Sequence, residues 1–565
     1  MPQDDDATRT PSPKQVVLLI HGMGEQVPLG TLRDFVETVY QRDPRLRPHG
    51  ANEALNRVWM VPDDATGTAE LRRLTTPPVG ADSRRTDFFE LYWADVTEGT
   101  PIEAVLEWIK GLVLRPWSAV PNSAKVRIAW LFLIFVTVFF VMFTISTLDP
   151  TGTLFSWLIM PTKAALVAAH NPLGVVISLG GIAVWAHEHN KEPARMKVAP
   201  SLLLFAGGLV LAFLPPPLLE SDKVWSGLIA LTLAAVLNGV VAPYVGDVVR
   251  YVRANPATVE RRRIVRERGV KLLEELHKKR NAAGDPLYDR IIVVAHSLGS
   301  IVGYDLIQLY WEKYGPTHRY KRVDSAVEAY AAVDAFVKQW WVRKDRTSFD
   351  LRSYQQAQSD VFEAIRHELQ FRISDFVTVG SPLAHAQFLL RDDKAALEAD
   401  FEERLFSSSP PRPDRPRDTM TYDTHGKTDG PYLHFAAPFA AVRWTNIYDE
   451  CWFPFGGDVV SGSLAETFGP GIKEHRVRIV RPGVWPLLNR LVTHTLYWAW
   501  DDSYRDAPTA DGVPPTSTNL PAHIQFLRDA IFLEADMTRR LSPQGRQASA
   551  RRRVAARSAS GDAMG

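Results

Sequence analysis

The sequence of 565 residues predicts an α/β fold with a mostly parallel central sheet, interrupted by an insertion of about four transmembrane helices. Three observations carry that expectation. Residues 291–300, Ile-Ile-Val-Val-Ala-His-Ser-Leu-Gly-Ser, read as a buried strand, a sharp turn and the start of a helix. Further short runs of strand character, at 16–20, 88–92, 376–380 and 442–448, lie on both sides of the middle of the chain. The middle itself, 128–245, is apolar in blocks close to the length that crosses a bilayer.

The first strand, Val16-Val17-Leu18-Leu19-Ile20, runs into His21-Gly22-Met23-Gly24. The two glycines let the chain turn and re-aim its backbone N–H groups, and Met23 lies between them. A second strand, 88–92, leads to Trp93-Ala94-Asp95-Val96. In 101–113, Ile102, Val105, Leu106, Ile109 and Leu112 recur at helical spacing, which suits a helix on the sheet or one lying along a membrane interface.

Four apolar blocks follow, at about 128–146, 164–186, 198–215 and 224–245. The first is nearly unbroken, the second carries His170, Asn171 and Pro172, and the third ends at Pro215-Pro216-Pro217. Strands before and after the blocks must pair in one sheet, so the number of crossings is even. Lys110, Arg115, Lys125 and Arg127 precede the first block. Lys191, Arg195 and Lys197 separate the second from the third, and Arg250, Arg253 and Arg261 to Arg263 follow the fourth. The opposite loops hold only Lys163 and Lys223. This bias predicts an integral, multi-pass membrane protein whose globular parts are cytoplasmic. Residues 1–14 are polar and show no signal-peptide core. The blocks hold few ionisable residues, which speaks against a transport path.

Residues 259–279 predict a charged helix with Val265, Leu272 and Leu276 on its apolar face. It leads to the strand at 291–294. Ala295 and Gly299, two before and two after Ser297, permit a tight turn, and Ile301, Val302, Leu306, Ile307 and Leu309 continue as a helical face. The turn lifts the Ser297 hydroxyl clear of the sheet and aims the helix N-terminus at it. Ser381 also follows a strand, but Pro382 disfavours the helical conformation at the residue before it, so Ser381 reads as structural. The Pro- and charge-rich run 407–430 reads as a lid or a disordered insertion. The strand 442–448 leads past Asp449 and Glu450 to a Gly-containing loop with Asp458. An alternating strand at 476–480 leads to a loop holding His494.

Together these segments resemble the lipase-like (serine esterase/lipase) branch of the α/β-hydrolase superfamily, with an inserted transmembrane region. The matching pieces are His21-Gly22-Met23-Gly24, Tyr92-Trp93-Ala94-Asp95-Val96, Ala295 to Gly299, Gly380-Ser381-Pro382-Leu383, Trp444 to Tyr448 with Asp458, and His494 to Trp498. Ala295 departs from the usual Gly at the elbow. The resemblance covers about 16–500 apart from the apolar middle. It implies a hydrolase domain split into 1–125 (first strands and oxyanion loop) and 251–535 (elbow, acid and His), around the membrane insertion that hydropathy predicts at 126–250; composition predicts a basic disordered tail at 536–565. It implies Ser297 as nucleophile and acid and base following in the order Asp458, His494, with Asp449 and Glu450 as rival acids and His475 and His385 as weaker bases. The N–H groups of Met23 and Leu298 would form the oxyanion hole.

The implied activity is that of a membrane-anchored serine hydrolase cleaving a lipid or other acyl ester through an acyl-enzyme, with no organic cofactor and no metal. The alternative is a non-catalytic membrane scaffold or binding protein that keeps the hydrolase fold. The expected partners are the lipid bilayer and the acyl-ester substrate. A net charge of +1 gives no sign of nucleic-acid binding, and the single Cys451 excludes an intramolecular disulfide. There is no internal repeat and no metal-ligand spacing; the sequence leaves the oligomeric state open.

Overall fold

The computed structural model describes residues 14–23, 27–46, 55–66, 72–79, 83–96, 110–120, part of 126–142, 178, 251–252, 259–316, 323–345, 347–391, 393–413, 418–422, 431–450, 456–481, 490, 493–500 and 520–533. The chain forms two compact units. The first comprises Met1–Glu98, Ser118–Pro121 and Arg250–Gly565, and the second Gly99–Trp117 and Asn122–Val249.

The first unit is built on a mixed sheet of eight strands. In chain order these are β1 (Lys14–Ile20), β2 (Trp59–Pro62), β3 (Arg72–Thr75), β4 (Arg85–Leu91), β5 (Arg290–His296), β6 (Ile373–Val379), β9 (Arg443–Asp449) and β10 (Ile472–Val477). A separate two-stranded ribbon pairs β7 (Thr421–Tyr422) with β8 (Tyr432–Leu433). The spatial order of the large sheet is β10-β9-β6-β5-β1-β4-β3-β2. From β10 to β4 every neighbour is parallel; β3 and β2 add an antiparallel edge. All seven residues of β5 and of β6 are buried. Strands covered on both faces can hold uninterrupted apolar runs, which is why the central ones were readable from sequence.

One face of the sheet carries α1 (Gly30–Val36) and α4 (Ala522–Ile531). Leu32, Phe35, Leu527 and Ile531 from these helices join Val17, Leu19, Phe88, Val294 and Ile447 in one core. Two further helices flank β5 in the chain, α2 (Val259–Lys278) before it and α3 (Gly299–Tyr314) after it. An aromatic cluster brings Tyr304 of α3 to 5.7 Å from Trp444 of β9, with Phe376 of β6 at 5.2 Å and Phe439 at 4.7 Å from the same indole. Alternation along the strand puts Trp444 and Ile447 on opposite faces.

The edges were less legible. β2 and β3 were not anticipated; their residues are partly exposed and carry Arg72 and Arg73. The last strand is Ile472–Val477 rather than 476–480. His475 therefore sits inside it, its ring stacked on Phe526 of α4 at 4.0 Å. An edge strand with one open side tolerates the polar pattern Ile-Lys-Glu-His-Arg-Val, which hides it from a hydropathy reading. The expected lid at 407–430 begins instead as packed chain. Ser407, Ser408 and Ser409 are buried, and the Ser409 N–H donates to Phe468 O at 2.7 Å. Residues 414–417 and 423–430 of that run lie outside the described residues, as does the basic tail at 536–565.

The four transmembrane helices are a correction. Among the described residues no helix is long and apolar enough to cross a membrane. The expected integral multi-pass localisation, with its cytoplasmic orientation, falls with them. Most of the expected blocks lie outside the described residues: all of 198–215 and 224–245, 164–186 except Ser178, and part of 128–146. Within the second unit, helical residues occur between 126 and 142, where Trp130 is only 8% exposed and donates its indole N–H to Leu112 O at 2.7 Å. The Arg127 guanidinium lies 4.6 Å over the Trp117 ring. A hydropathy count registers that side chains avoid water, and it does not distinguish burial against protein from burial in lipid.

Candidate active site

The parallel strands deliver the loops that follow them to the same end of the sheet, their carboxyl ends, where open α/β sheets place their ligands. Ser297 follows β5. Its backbone has φ 53°, a left-handed conformation costly for a residue with a Cβ and held there by its surroundings. The Ser297 N–H donates to Val379 O of β6 at 3.0 Å. Its carbonyl is held by a line of hydroxyls: the Leu383 N–H donates to Ser381 Oγ (3.2 Å), Ser381 lies 2.6 Å from Ser300 Oγ, and Ser300 donates to Ser297 O (2.6 Å). Because the Ser300 proton goes to the carbonyl, Ser381 must donate to Ser300. Ser381 is thus a support of the turn.

Two glycines make the turn possible by close approach. A Cβ on Gly299 would lie 2.3 Å from His21 O and 2.6 Å from Ile20 O, so the first turn of α3 packs directly on the end of β1. A Cβ on Gly22 would lie 2.8 Å from the Ser297 Cβ. The 21–23 turn therefore sits against Ser297, and Met23 follows immediately. Leu298, fully buried, precedes α3, where the first amides of a helix have no acceptor within it. Gly24, the second glycine of the turn, is outside the described residues.

His21 is not a reacting group here. Its Nδ1–H donates to Gly22 O (2.8 Å), and its Nε2 accepts the Trp93 N–H (3.2 Å). The two rings stack at 5.2 Å. Burial lowers its pKa to about 4, so it stays neutral and pins the turn.

Ser297, His494 and Asp458 come together. His494 Nε2 is 2.7 Å from Ser297 Oγ, and His494 Nδ1 is 2.9 Å from Asp458 Oδ2. A carboxylate only accepts, so Nδ1 carries the proton and Nε2 is left to receive the one on Ser297. Ser297 is 1% exposed, Asp458 fully buried, and the His494 side chain 15% exposed. Burial would raise the Asp458 pKa. The His494 contact, the Tyr497 hydroxyl at 2.7 Å from Oδ2 and the Val460 N–H at 2.9 Å from Oδ1 outweigh it and pull it down to about 2. Asp458 is therefore an anion across the neutral range.

The rivals are elsewhere. Asp449, at the end of β9, accepts from Arg490 Nη2 (2.8 Å) and Thr493 Oγ1 (2.9 Å). It anchors the segment that delivers His494, and burial raises its pKa despite the arginine. The Gly457 N–H donates to Arg490 O at 2.7 Å, tying the acid loop to that segment. Glu450 pairs with Arg476. His385 hydrogen-bonds the Val459 backbone, and burial lowers its pKa. His475 is in β10, as described above.

Two residues of the site were not anticipated. His296 donates its Nε2–H to His494 O (2.8 Å), with the two rings 5.0 Å apart; burial lowers its pKa to about 3. Tyr497 holds Asp458. Both lie in segments that the sequence singles out, but a buried hydroxyl's partner is a matter of three-dimensional placement. Among the described residues no group of three or more His, Cys, Asp or Glu side chains is placed to hold a metal ion.

Glu90, on β4 behind this turn, is 1% exposed and accepts the Leu29 N–H at 2.8 Å through Oε2. Burial raises its pKa to about 7 against that bond. A carboxyl whose folded pKa lies above its unfolded one stabilises fully below about pH 4.5, and that contribution is lost as pH rises to about 7. The loss is on the order of 3 kcal/mol. The urea midpoint of the native chain should therefore fall between pH 5 and pH 8, and Glu90→Gln should flatten that fall. Parallel pH profiles for the two chains would contradict this account.

The chain was compared with protein-family models, curated proteins and solved structures, and none of them matches it.

Proposed function

We propose that this protein is a serine hydrolase of acyl esters, working through an acyl-enzyme, on an α/β-hydrolase framework of the lipase-like kind. The single observation that carries the reading is the continuous contact from Ser297 Oγ through His494 to Asp458, at 2.7 and 2.9 Å, with Ser297 at a left-handed turn between a buried strand and a helix. Ser297 Oγ attacks the carbonyl carbon while His494 Nε2 takes its proton. The oxyanion is met by the N–H groups of Met23 and Leu298. Asp458 holds the ring in the Nδ1–H tautomer and stabilises the imidazolium. His494 then protonates the departing alcohol or thiol and activates the water that frees the acid. Among the described residues no helix is long and apolar enough to hold the site at a bilayer, so the substrate class is the ester or thioester carbonyl rather than a lipid in particular.

A fluorophosphonate probe tests this. The native chain should take the label, with the adduct on Ser297 by peptide mapping, and folded Ser297→Ala should take none. An unlabelled native chain, or label persisting on Ser297→Ala, would overturn the reading.

A further inference from the structure

We propose that Tyr497 is a positioning residue that fixes the Asp458 carboxylate and tempers its hold on the His494 ring; this rests on the hydrolase reading above. The Tyr497 ring is buried, and its hydroxyl makes three polar contacts. It lies 2.7 Å from Asp458 Oδ2, 2.9 Å from the Asp449 amide nitrogen and 2.9 Å from Ser461 Oγ. The Asp449 N–H can only donate and the Asp458 carboxylate can only accept. The one phenolic proton therefore goes to Asp458, and the lone pairs face the Asp449 N–H and the Ser461 hydroxyl. Burial pushes the phenol well above its ordinary pKa, so the proton stays in place.

The oxygen that receives this proton is the one that His494 Nδ1–H also uses, at 2.9 Å. Two donors share one carboxylate oxygen, and each bond is weaker than it would be alone. Tyr497 follows His494 by three residues, so one short turn carries both donors to Asp458. The ring is held tightly: Gly380, at φ 61°, would place a Cβ 2.6 Å from Tyr497 Cε2. The other titratable groups around the cluster are His296 against the His494 ring, His385 beside Asp458, and Asp449 paired with Arg490. His296 is kept neutral by burial, and Asp449 is engaged by Arg490 and Thr493, so neither replaces the phenol at Oδ2.

Removing the hydroxyl concentrates the Asp458 charge on His494 and frees the carboxylate to turn. In Tyr497→Phe the acid limb of the pH profile for fluorophosphonate labelling should move up by about one pH unit. The kcat for a p-nitrophenyl ester should fall roughly tenfold with KM unchanged. The low-field proton resonance of His494 Nδ1–H, assigned by its loss in His494→Gln, should move further downfield. Incorporation of 3,5-difluorotyrosine at 497 keeps the ring shape and strengthens the donor, so both readouts should move the other way. That variant decides the matter if Tyr497→Phe does not fold. An acid limb and a resonance that stay at native positions in the folded variants would reduce Tyr497 to packing and overturn the inference. A native chain that neither labels nor turns over ester removes the hydrolase reading alone, because the resonance still reads the Tyr497 contact.

Discussion

Asp458→Asn and His494→Ala should each lower the turnover of a short acyl ester by roughly 10⁴-fold, and the double variant should be no slower than the slower single. The hydrogen-bond directions give the reason. His494 Nδ1 carries its proton because the Asp458 carboxylate can only accept, and that leaves Nε2 free to take the Ser297 proton. An amide at 458 can present an N–H instead, which favours the other tautomer and blocks Nε2. On the proposed mechanism the three groups act as one unit, so the second loss removes nothing further. Asp449→Asn is the informative contrast. Asp449 holds Arg490 and Thr493 rather than the His494 ring, so its loss should appear first as a lower urea midpoint and only secondarily in kcat. If Asp458→Asn stayed near full activity while Asp449→Asn lost it, the acid would have been misassigned.

The second large effect is expected at a residue with no functional group. Gly299→Ala should destabilise the fold by about 3 kcal/mol and abolish labelling of Ser297. The added Cβ would lie 2.3 Å from His21 O and 2.6 Å from Ile20 O, which are backbone atoms of the β1 end and cannot rotate aside. The helix start must then withdraw from the sheet, carrying the Leu298 amide with it and pulling on the strained Ser297 turn. Urea unfolding and probe labelling read the two parts separately. A native midpoint in Gly299→Ala would show that the turn has slack, contrary to the contacts described.

The hydroxyl line from Ser381 through Ser300 to the Ser297 carbonyl shows how local a legible signal can be. Pro382 was enough to mark Ser381 as structural, because the restriction it places on its neighbour is a property of adjacent residues. That Ser381 supports the Ser297 turn, 84 positions before it in the chain, required β5 and β6 to lie side by side. The same contrast separates Asp458 from Asp449. Asp449 ends β9 and Asp458 lies nine residues beyond it, and nothing in spacing tells which carboxylate meets the imidazole. Only the placement of Asp458 against His494 and of the buried Arg490 against Asp449 decides it.

The sequence by itself determined the central strands and the turn at Ser297. A strand covered on both faces favours consecutive apolar residues, and a sharp strand-to-helix turn needs small residues at particular offsets; both are written in consecutive positions. It also narrowed the groups proposed to react to a few candidates in chain order. Tertiary structure alone decided the edge strands, the choice among acids, and the parts played by His296 and Tyr497. An edge strand needs no hydropathy pattern, and a polar side chain's role depends on the partner that folding brings to it. The apolar middle marks the limit of the hydropathy argument. Its composition says that side chains such as Trp130 leave water, and only their surroundings say what they enter.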